Sequence, residues 1–299
     1  DLDPENPRWY NNRADLYKDT YNYDAALKDY ATAIEISTND YSTARAYNNR
    51  ALIYEDEEKW ELCIEETTKA IEIYPSSVTF SRNRAIYYFN LGDYDSALLD
   101  YTKVIELEPN EPWNYSDRAD CYIEMEDFTN ALKDLDKAVD LDPENPRWYN
   151  YRAIFYTFHL KSYDIAINDF NKSIDLSITD EEKSLYYNER ARFFTIIAEY
   201  SKANDDFNNA IKFDSKNSTS YLYRAKMYNI KEDYEKEKSD YLKAIEIDNK
   251  DPEPYYYLAK FYLNINKSFQ ALSYLDKAIS QFIANPNYNI PAENWIDFI

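Results

Sequence analysis

The sequence is poor in the residues on which several kinds of functional site depend. It has one glycine, Gly92, where an average chain of this length has about twenty, and this scarcity predicts few loops or turns with positive φ. One histidine, His159, leaves little for imidazole-based catalysis or metal binding. Two cysteines, Cys63 and Cys121, are too few for a disulfide framework or a zinc site. We therefore expect no catalytic residue, no cofactor and no metal ion.

Charge and hydrophobicity narrow the class of protein further. Fifty-six acidic residues against thirty-four basic ones give a net charge of −22, which disfavours nucleic acid or an anionic membrane as a partner. No apolar run approaches the length of a membrane span. With 44% hydrophobic and 17% aromatic residues, the chain is expected to fold, and we expect it to be cytoplasmic.

A repeat of about 34 residues organises the chain. An Arg-Ala dipeptide occurs seven times, and Leu258-Ala259 continues the series. The dipeptides lie at 13–14, 50–51, 84–85, 118–119, 152–153, 190–191 and 224–225. Successive alanines are 37, 34, 34, 34, 38, 34 and 34 residues apart, so two of the intervals are padded. Such a fixed period is typical of solenoid architectures.

Each repeat has the pattern of a helix–turn–helix hairpin. In 112–145, apolar and small residues recur every three or four positions on both sides of a polar turn. Asn6-Pro7, Asn145-Pro146 and Asp251-Pro252 place a capping side chain before a proline, as at a helix start. Thr179 and Glu182 form the pattern of a capping box.

These residues resemble the tetratricopeptide repeat family. Position 8 of every unit is alanine, positions 4 and 11 are almost always aromatic, and positions 20 and 27 are mostly small. Departures include Ser81 at position 4, Glu237 at position 20 and a displaced Phe269. The resemblance implies an all-α, right-handed α-solenoid of eight helix–turn–helix hairpins with a short C-terminal helix.

The period also predicts the boundaries of the units. Residues 1–6 are expected to be the tail of a preceding repeat, so that the natural protein continues upstream. The eight repeats are expected at 7–40, 44–77, 78–111, 112–145, 146–180, 184–217, 218–251 and 252–284. Residues 285–299 are expected to form a loop and a capping helix that uses Trp295, Phe298 and Ile299. The sequence of 1–11 recurs identically at 140–150, which indicates duplication of a four-repeat block.

Position 7 carries arginine and position 23 carries an acid in the same seven units. The pairs are Arg13 with Asp29, Arg50 with Glu66, Arg84 with Asp100, Arg118 with Asp134, Arg152 with Asp169, Arg190 with Asp206, and Arg224 with Asp240. Unit 8 has lost both, with Leu258 and Tyr274 in their places. This joint loss favours an ion pair between the two helices of each hairpin. The alternative is a ladder of arginines that binds an acidic ligand.

The family resemblance implies that first helices line a concave peptide-binding groove. In the first half the candidates are asparagines, whose amides can pair with a peptide backbone: Asn11, Asn12, Asn48, Asn49 and Asn83. In the second half they are apolar or aromatic: Tyr151, Ile154, Leu222, Tyr223, Tyr256 and Tyr257, with Phe158, Ile196, Ile230 and Leu263 nearby. The alternative is that these residues only reflect the high Asn and Tyr content of the chain and lie on a neutral surface that has no function.

The sequence therefore indicates a non-enzymatic scaffold or adaptor that binds a protein or an extended peptide. The alternative function is a regulatory or substrate-recruiting arm of a larger enzyme whose catalytic domain lies outside these residues. Self-association through the N-terminal face is a further expectation, because we expect that face to have no cover.

Overall fold

The structure is a computed structural model that describes residues 6–37 and 40–285. This part of the chain is helical, with no β-strand in it. It divides into an N-terminal unit up to Pro143 and a C-terminal unit from Glu144 onwards. The proposed capping helix with Trp295, Phe298 and Ile299 lies outside the described residues.

The N-terminal unit consists of four antiparallel helix hairpins. Their helices are α1 (Pro7–Asp19) and α2 (Tyr23–Ile36), α3 (Tyr41–Glu55) and α4 (Trp60–Ile73), α5 (Val78–Leu91) and α6 (Tyr94–Leu107), and α7 (Pro112–Glu124) and α8 (Phe128–Leu141). The second helix of each hairpin packs on the first helix of the next.

The C-terminal unit repeats this arrangement with four more hairpins. Their helices are α9 (Pro146–Phe155) and α10 (Tyr163–Leu176), α11 (Asp180–Ile196) and α12 (Tyr200–Phe213), α13 (Ser218–Ile230) and α14 (Tyr234–Ile247), and α15 (Pro252–Asn264) and α16 (Ser268–Ala284). Helix α11 starts with the capping box, in which Thr179 and Glu182 bond to each other's backbone N–H groups.

Small side chains let the helices approach closely, and aromatic ones fill the remaining space. Ala51 of α3 and Cys63 of α4 are fully buried and pack against Tyr87 of α5. Burial raises the pKa of the Cys63 thiol to about 12, so this cysteine is an unreactive core residue. The same pattern of small and aromatic contacts recurs along both units.

The turn between the two helices of every hairpin contains one residue with positive φ. These residues are Tyr21, Glu58, Gly92, Glu126, Lys161, Ala198, Glu232 and Asn266. The expectation that scarce glycine means few turns of positive φ is therefore wrong. Seven L-residues adopt the left-handed conformation because the tight turn between two packed helices requires it.

Glycine at such a turn is expected to stabilise the protein. The left-handed conformation costs an L-residue about 1–2 kcal/mol, and glycine avoids this cost. We expect Glu126→Gly to raise the free energy of unfolding by about 1 kcal/mol, measured by urea denaturation. Glu126→Ala is the control and should give no such gain. Equal effects of the two substitutions would contradict this account of the turn.

The one-residue insertion in the fifth hairpin is absorbed as a short π-helix at Tyr156–Leu160. His159 lies in it, is exposed, and stacks on Phe155 with ring centroids 5.3 Å apart. The imidazole of His159 therefore packs against an aromatic ring of this turn.

Candidate functional site

In seven of the eight described hairpins, an ion pair joins the first helix to the second. In the fourth hairpin, Arg118 Nε and Nη2 each donate to Asp134 at 2.8 Å. The other pairs, with their Nε–carboxylate distances, are Arg13–Asp29 at 2.6 Å, Arg50–Glu66 at 3.1 Å, Arg84–Asp100 at 2.7 Å, Arg152–Asp169 at 2.8 Å, Arg190–Asp206 at 2.7 Å and Arg224–Asp240 at 2.7 Å. All seven acids are buried.

The arginine also connects neighbouring hairpins. Arg118 Nη1 donates to Thr102 of the preceding second helix at 3.2 Å, and Arg84 Nη1 donates to Thr68 at 3.1 Å. The hydrogen bond with Asp134 raises the pKa of Arg118, although burial opposes this. These guanidinium groups are thus engaged inside the protein, and their geometry does not favour a ladder for an acidic ligand.

Two of the asparagines predicted for the groove are buried between first helices. Asn11 Nδ2 donates to the backbone oxygen of Ser42 at 2.9 Å, which joins α1 to α3. Asn48 accepts from Asn83 Nδ2 at 2.9 Å, which joins α3 to α5. The prediction that Asn11 and Asn48 contact a peptide is wrong, because position 5 faces the adjacent first helix.

On the first-helix surface of the N-terminal unit, many polar side chains bond to one another. Asp15 accepts hydrogen bonds from Asn49 Nδ2 at 2.8 Å and from the Tyr30 hydroxyl at 2.5 Å, and it forms an ion pair with Arg45. Asn12 is exposed on this surface. Of the five asparagines predicted for the groove, three therefore remain available to a peptide. They are Asn12 and the partly engaged amides of Asn49 and Asn83.

Two carboxyl groups on α7 have raised pKa values. Burial raises the pKa of Asp117 to about 6, and burial together with the nearby Asp117 raises the pKa of Asp120 to about 7. The sequence alone does not show that these two carboxyl groups are buried, so it could not predict the raised pKa values.

An aromatic and cationic cluster occupies the first-helix surface of the C-terminal unit. Lys226 Nζ lies 4.2 Å from the ring centroid of Tyr257 and 5.1 Å from that of Tyr223. The guanidinium of Arg192 lies 4.6 Å from the Tyr223 centroid. Tyr257 also stacks on Tyr241 of α14, with centroids 6.0 Å apart. We call Arg192, Tyr223, Lys226 and Tyr257 the tyrosine–cation cluster.

Both cations of this cluster are neutralised by neighbouring acids. Lys226 Nζ lies 2.6 Å from Glu253, and Arg192 Nη1 donates to both oxygens of Glu189 at 2.9 and 3.0 Å. The surface therefore presents aromatic rings with little net charge.

A recess of about 250 Å³ opens beside the tyrosine–cation cluster. Its lining is Arg192, Thr195, Ile196, Phe207, Tyr223, Lys226 and Met227. Phe207 and Met227 are buried and form an apolar floor, while Ile196 is exposed at the rim. Sequence reasoning placed Ile196 and Tyr223 on this surface but missed the floor. The available signal was Met227, an unbranched residue at a position where three other hairpins carry phenylalanine.

Two further groove predictions are wrong. Leu222 and Tyr256 are fully buried, because they occupy position 5 and pack into the core between hairpins. Tyr151 and Ile154 of α9 are half-buried, and Ile154 packs against the core of the C-terminal unit. Tyr223 and Tyr257 are also half-buried, and they are the two groove tyrosines that belong to the tyrosine–cation cluster.

Family models described as tetratricopeptide repeat match residues 7–40, 44–77, 82–111, 114–145, 218–251 and 240–273. The chain belongs to the tetratricopeptide repeat family. Tetratricopeptide repeat proteins are generally non-catalytic scaffolds, and membership supports a role in protein–protein interaction. None of the curated protein sequences matches the chain.

Solved structures share the fold at low sequence identity. A tetratricopeptide repeat protein from Parabacteroides merdae is 18% identical, with a TM-score of 0.64 over 91% of this chain and 98% of its own. The APC/C hetero-tetramer Cut9–Hcn1 gives 14% identity and a TM-score of 0.53 over 90% of this chain and 52% of its own. MamA from Desulfovibrio magneticus RS-1 gives 16% and 0.52 over 59% of this chain and 97% of its own.

Among the described residues, no helix has the length and apolar character required to cross a membrane. In the same part of the chain, no group of three or more His, Cys, Asp or Glu side chains could hold a metal ion.

Proposed function

We propose that the protein is a non-catalytic scaffold that binds an extended peptide of a partner protein on the first-helix surface of its C-terminal unit. The observation that carries this proposal is the apolar recess beside the tyrosine–cation cluster. A concave site with an apolar floor and a few polar groups at its rim is the usual form of a ligand site.

The recess fits one bulky apolar side chain of the peptide. Met227 and Phe207 offer a floor without charge, and Met227 adapts to side chains of different shape. The rim provides Thr195, whose hydroxyl is already bonded to Ala191 O at 2.9 Å. Specificity would therefore come from the apolar side chain, with the peptide backbone passing over the rim.

The tyrosines are held in place before a ligand arrives. Tyr257 contacts Tyr241 and Lys226, and Tyr223 contacts Arg192 and Lys226. Ordered aromatic rings offer contact area at a small further loss of conformational entropy. This arrangement favours Tyr223 and Tyr257 as the main contributors to affinity.

A peptide library displayed on phage tests the proposal with the 299-residue chain as the target. Dissociation constants of the selected peptides are then measured by fluorescence anisotropy. Removal of two buried aromatic contacts is expected to cost at least about 2 kcal/mol. Tyr223→Ala with Tyr257→Ala should thus weaken binding by about thirtyfold or more. Asn12→Ala with Asn49→Ala should weaken it less.

A matched pair of tyrosines on second helices serves as the control. Tyr163 of α10 and Tyr234 of α14 are exposed, and Tyr163→Ala with Tyr234→Ala should leave peptide affinity unchanged. A library that yields no binding peptide would contradict the proposal. So would peptides that lose affinity with the Tyr163 and Tyr234 variant and keep it with the Tyr223 and Tyr257 variant.

A further inference from the structure

The recess beside the tyrosine–cation cluster has positive charge in its wall as well as an apolar floor. Among the described residues that line it, Arg192 and Lys226 are the charged ones. Their partners Glu189 and Glu253 stand outside the lining, although both ion pairs form. A ligand group at the recess therefore contacts the two cations rather than the two acids.

Both cations keep hydrogen-bond donors that the described residues do not use. A guanidinium has five N–H donors, and Arg192 bonds to Glu189 through Nη1, so Nε and Nη2 have no acceptor in the described part of the chain. An ammonium has three N–H donors, and Lys226 uses one of them on Glu253 at 2.6 Å. The two side chains are 39% and 26% exposed, so an acceptor from outside can reach them.

A basic ligand group is disfavoured at this place. Tyrosine rings attract cations, but Arg192 and Lys226 already lie 4.2 to 5.1 Å from the ring centroids of Tyr223 and Tyr257. These two cations would repel a third one at short range. The recess therefore selects for an acceptor of negative charge, which forms charge-assisted hydrogen bonds with arginine and lysine.

The repeat position that supplies these cations is basic only towards the end of the described chain. Position 9 in hairpins 6 to 8 is Arg192, Lys226 and Lys260. In the four hairpins of the N-terminal unit it is Asp15, Leu52, Ile86 and Asp120. A chain with a net charge of −22 thus places basic residues at this position of the C-terminal unit, where the recess lies.

We propose that the bound peptide carries an Asp or Glu two residues away from the apolar residue that enters the recess, and that Arg192 and Lys226 bind this carboxylate. The inference rests on the proposed function, which places an extended peptide across the recess. Successive side chains of an extended chain point to opposite faces, so residues two apart lie on one face, about 6.6 Å from each other. An acid at this spacing faces the cations while the apolar residue contacts Phe207 and Met227.

A set of synthetic peptides tests this acidic preference. The parent is the tightest-binding phage-selected peptide, acetylated and amidated so that neither chain end is charged. The positions two residues before and after its main apolar residue are set in turn to Glu, Gln and Lys, and fluorescence anisotropy gives the dissociation constants. At one of them, Glu should bind at least about tenfold more tightly than Lys, with Gln between the two. One residue from the apolar side chain, where side chains point to the opposite face, the same changes should alter affinity less than about threefold.

Arg192→Gln with Lys226→Gln tests whether these two side chains cause the preference. This variant should bind the Glu and Gln peptides equally, within about twofold. Lys212→Gln with Lys216→Gln is the matched control, because it removes the same charge from two exposed positions of the same unit that do not line the recess. The control should keep the full preference for Glu, and circular dichroism checks that both variants are folded.

The acidic preference and the proposed function can fail separately. Peptides that lose affinity with Tyr223→Ala and Tyr257→Ala, yet bind equally well with Glu, Gln or Lys, would overturn the acidic preference and leave the proposed function standing. A preference for Glu that persists in Arg192→Gln with Lys226→Gln would likewise overturn the assignment to these cations. A library that yields no binding peptide would overturn both.

Discussion

Arg118→Ala is expected to lower the free energy of unfolding by about 3–5 kcal/mol. The substitution leaves the buried Asp134 carboxylate without the two guanidinium hydrogen bonds that it accepts at 2.8 Å. It also removes the bond from Arg118 to Thr102 of the preceding hairpin. Urea denaturation followed by circular dichroism measures the loss.

The chain itself supplies the controls for this experiment. Hairpin 8 has Leu258 and Tyr274 at the two positions, and Tyr274 stacks on Tyr262 with centroids 5.4 Å apart. Arg118→Leu with Asp134→Tyr should therefore lose less stability than Arg118→Ala, because no buried charge is left unpaired. A double variant less stable than the single one would contradict this explanation.

The effect should also depend on exposure. Arg13 makes the same contact with Asp29, but its side chain is 57% exposed. Because water reaches this guanidinium and can replace it at Asp29, Arg13→Ala should cost less than Arg118→Ala. Equal losses from Arg13→Ala and Arg118→Ala would show that burial does not set the strength of these pairs.

Glu237→Gln is expected to stabilise the protein above pH 7 and to change little near pH 5. Glu237 occupies position 20, where other hairpins have alanine or cysteine, and it is fully buried. Burial raises its pKa from 4.5 to about 7, while a hydrogen bond from Asn229 Nδ2 at 2.8 Å acts in the opposite direction. The carboxyl group is therefore neutral in the folded protein at acidic pH.

The direction of the pH dependence follows from this raised pKa. The folded state binds the proton more tightly than the unfolded state, so stability declines as the pH rises from about 4.5 to about 7 and levels off above. A shift of about 2.5 pH units corresponds to on the order of 3 kcal/mol. Glutamine keeps the acceptor for Asn229 and has no charge, so the variant lacks this decline.

Urea midpoints of the unchanged chain and of Glu237→Gln, measured at pH 5 and pH 8, test this prediction. Glu235→Gln, at an exposed position of the same helix, is the control and should give the same small difference at both pH values. The account of Glu237 is wrong if the difference between Glu237→Gln and the unchanged chain is equal at pH 5 and pH 8.

The repeat was readable because its core depends on residue size at fixed spacing. Alanine recurs at position 8 in every hairpin, and small residues recur at positions 20 and 27 in most of them, because two helix backbones nearly touch there. Glu237 at position 20 is an exception. Positions 7 and 23 were also visible, because a buried acid needs a cation within reach. Both signals are local to one hairpin and need no knowledge of neighbouring hairpins.

The lining of the groove was less accessible from sequence. Adjacent residues of a helix point about 100° apart, so positions 5 and 6 differ in whether they face the next helix or solvent. Which of them faces solvent depends on how neighbouring hairpins rotate against each other. Leu222 and Tyr223 show the result, because the first is buried and the second lies at the recess.

The strained backbone of the turns could not be predicted from the composition either. Glu126 and Lys161 take positive φ because the helices on both sides are fixed by packing, and this packing outweighs a local preference. The π-helix at Tyr156–Leu160 is similar, since it accommodates an inserted residue without moving the helices around it.

Photo-crosslinking tests the proposed peptide site most directly. A peptide selected from the phage library carries a diazirine analogue of leucine in place of its main apolar residue, and mass spectrometry locates the adducts on the 299-residue chain. We predict adducts on residues that line the recess, above all Ile196, Tyr223 and Met227. Adducts confined to the second helices α10, α12, α14 and α16, at residues other than Phe207 of the recess floor, would contradict the account.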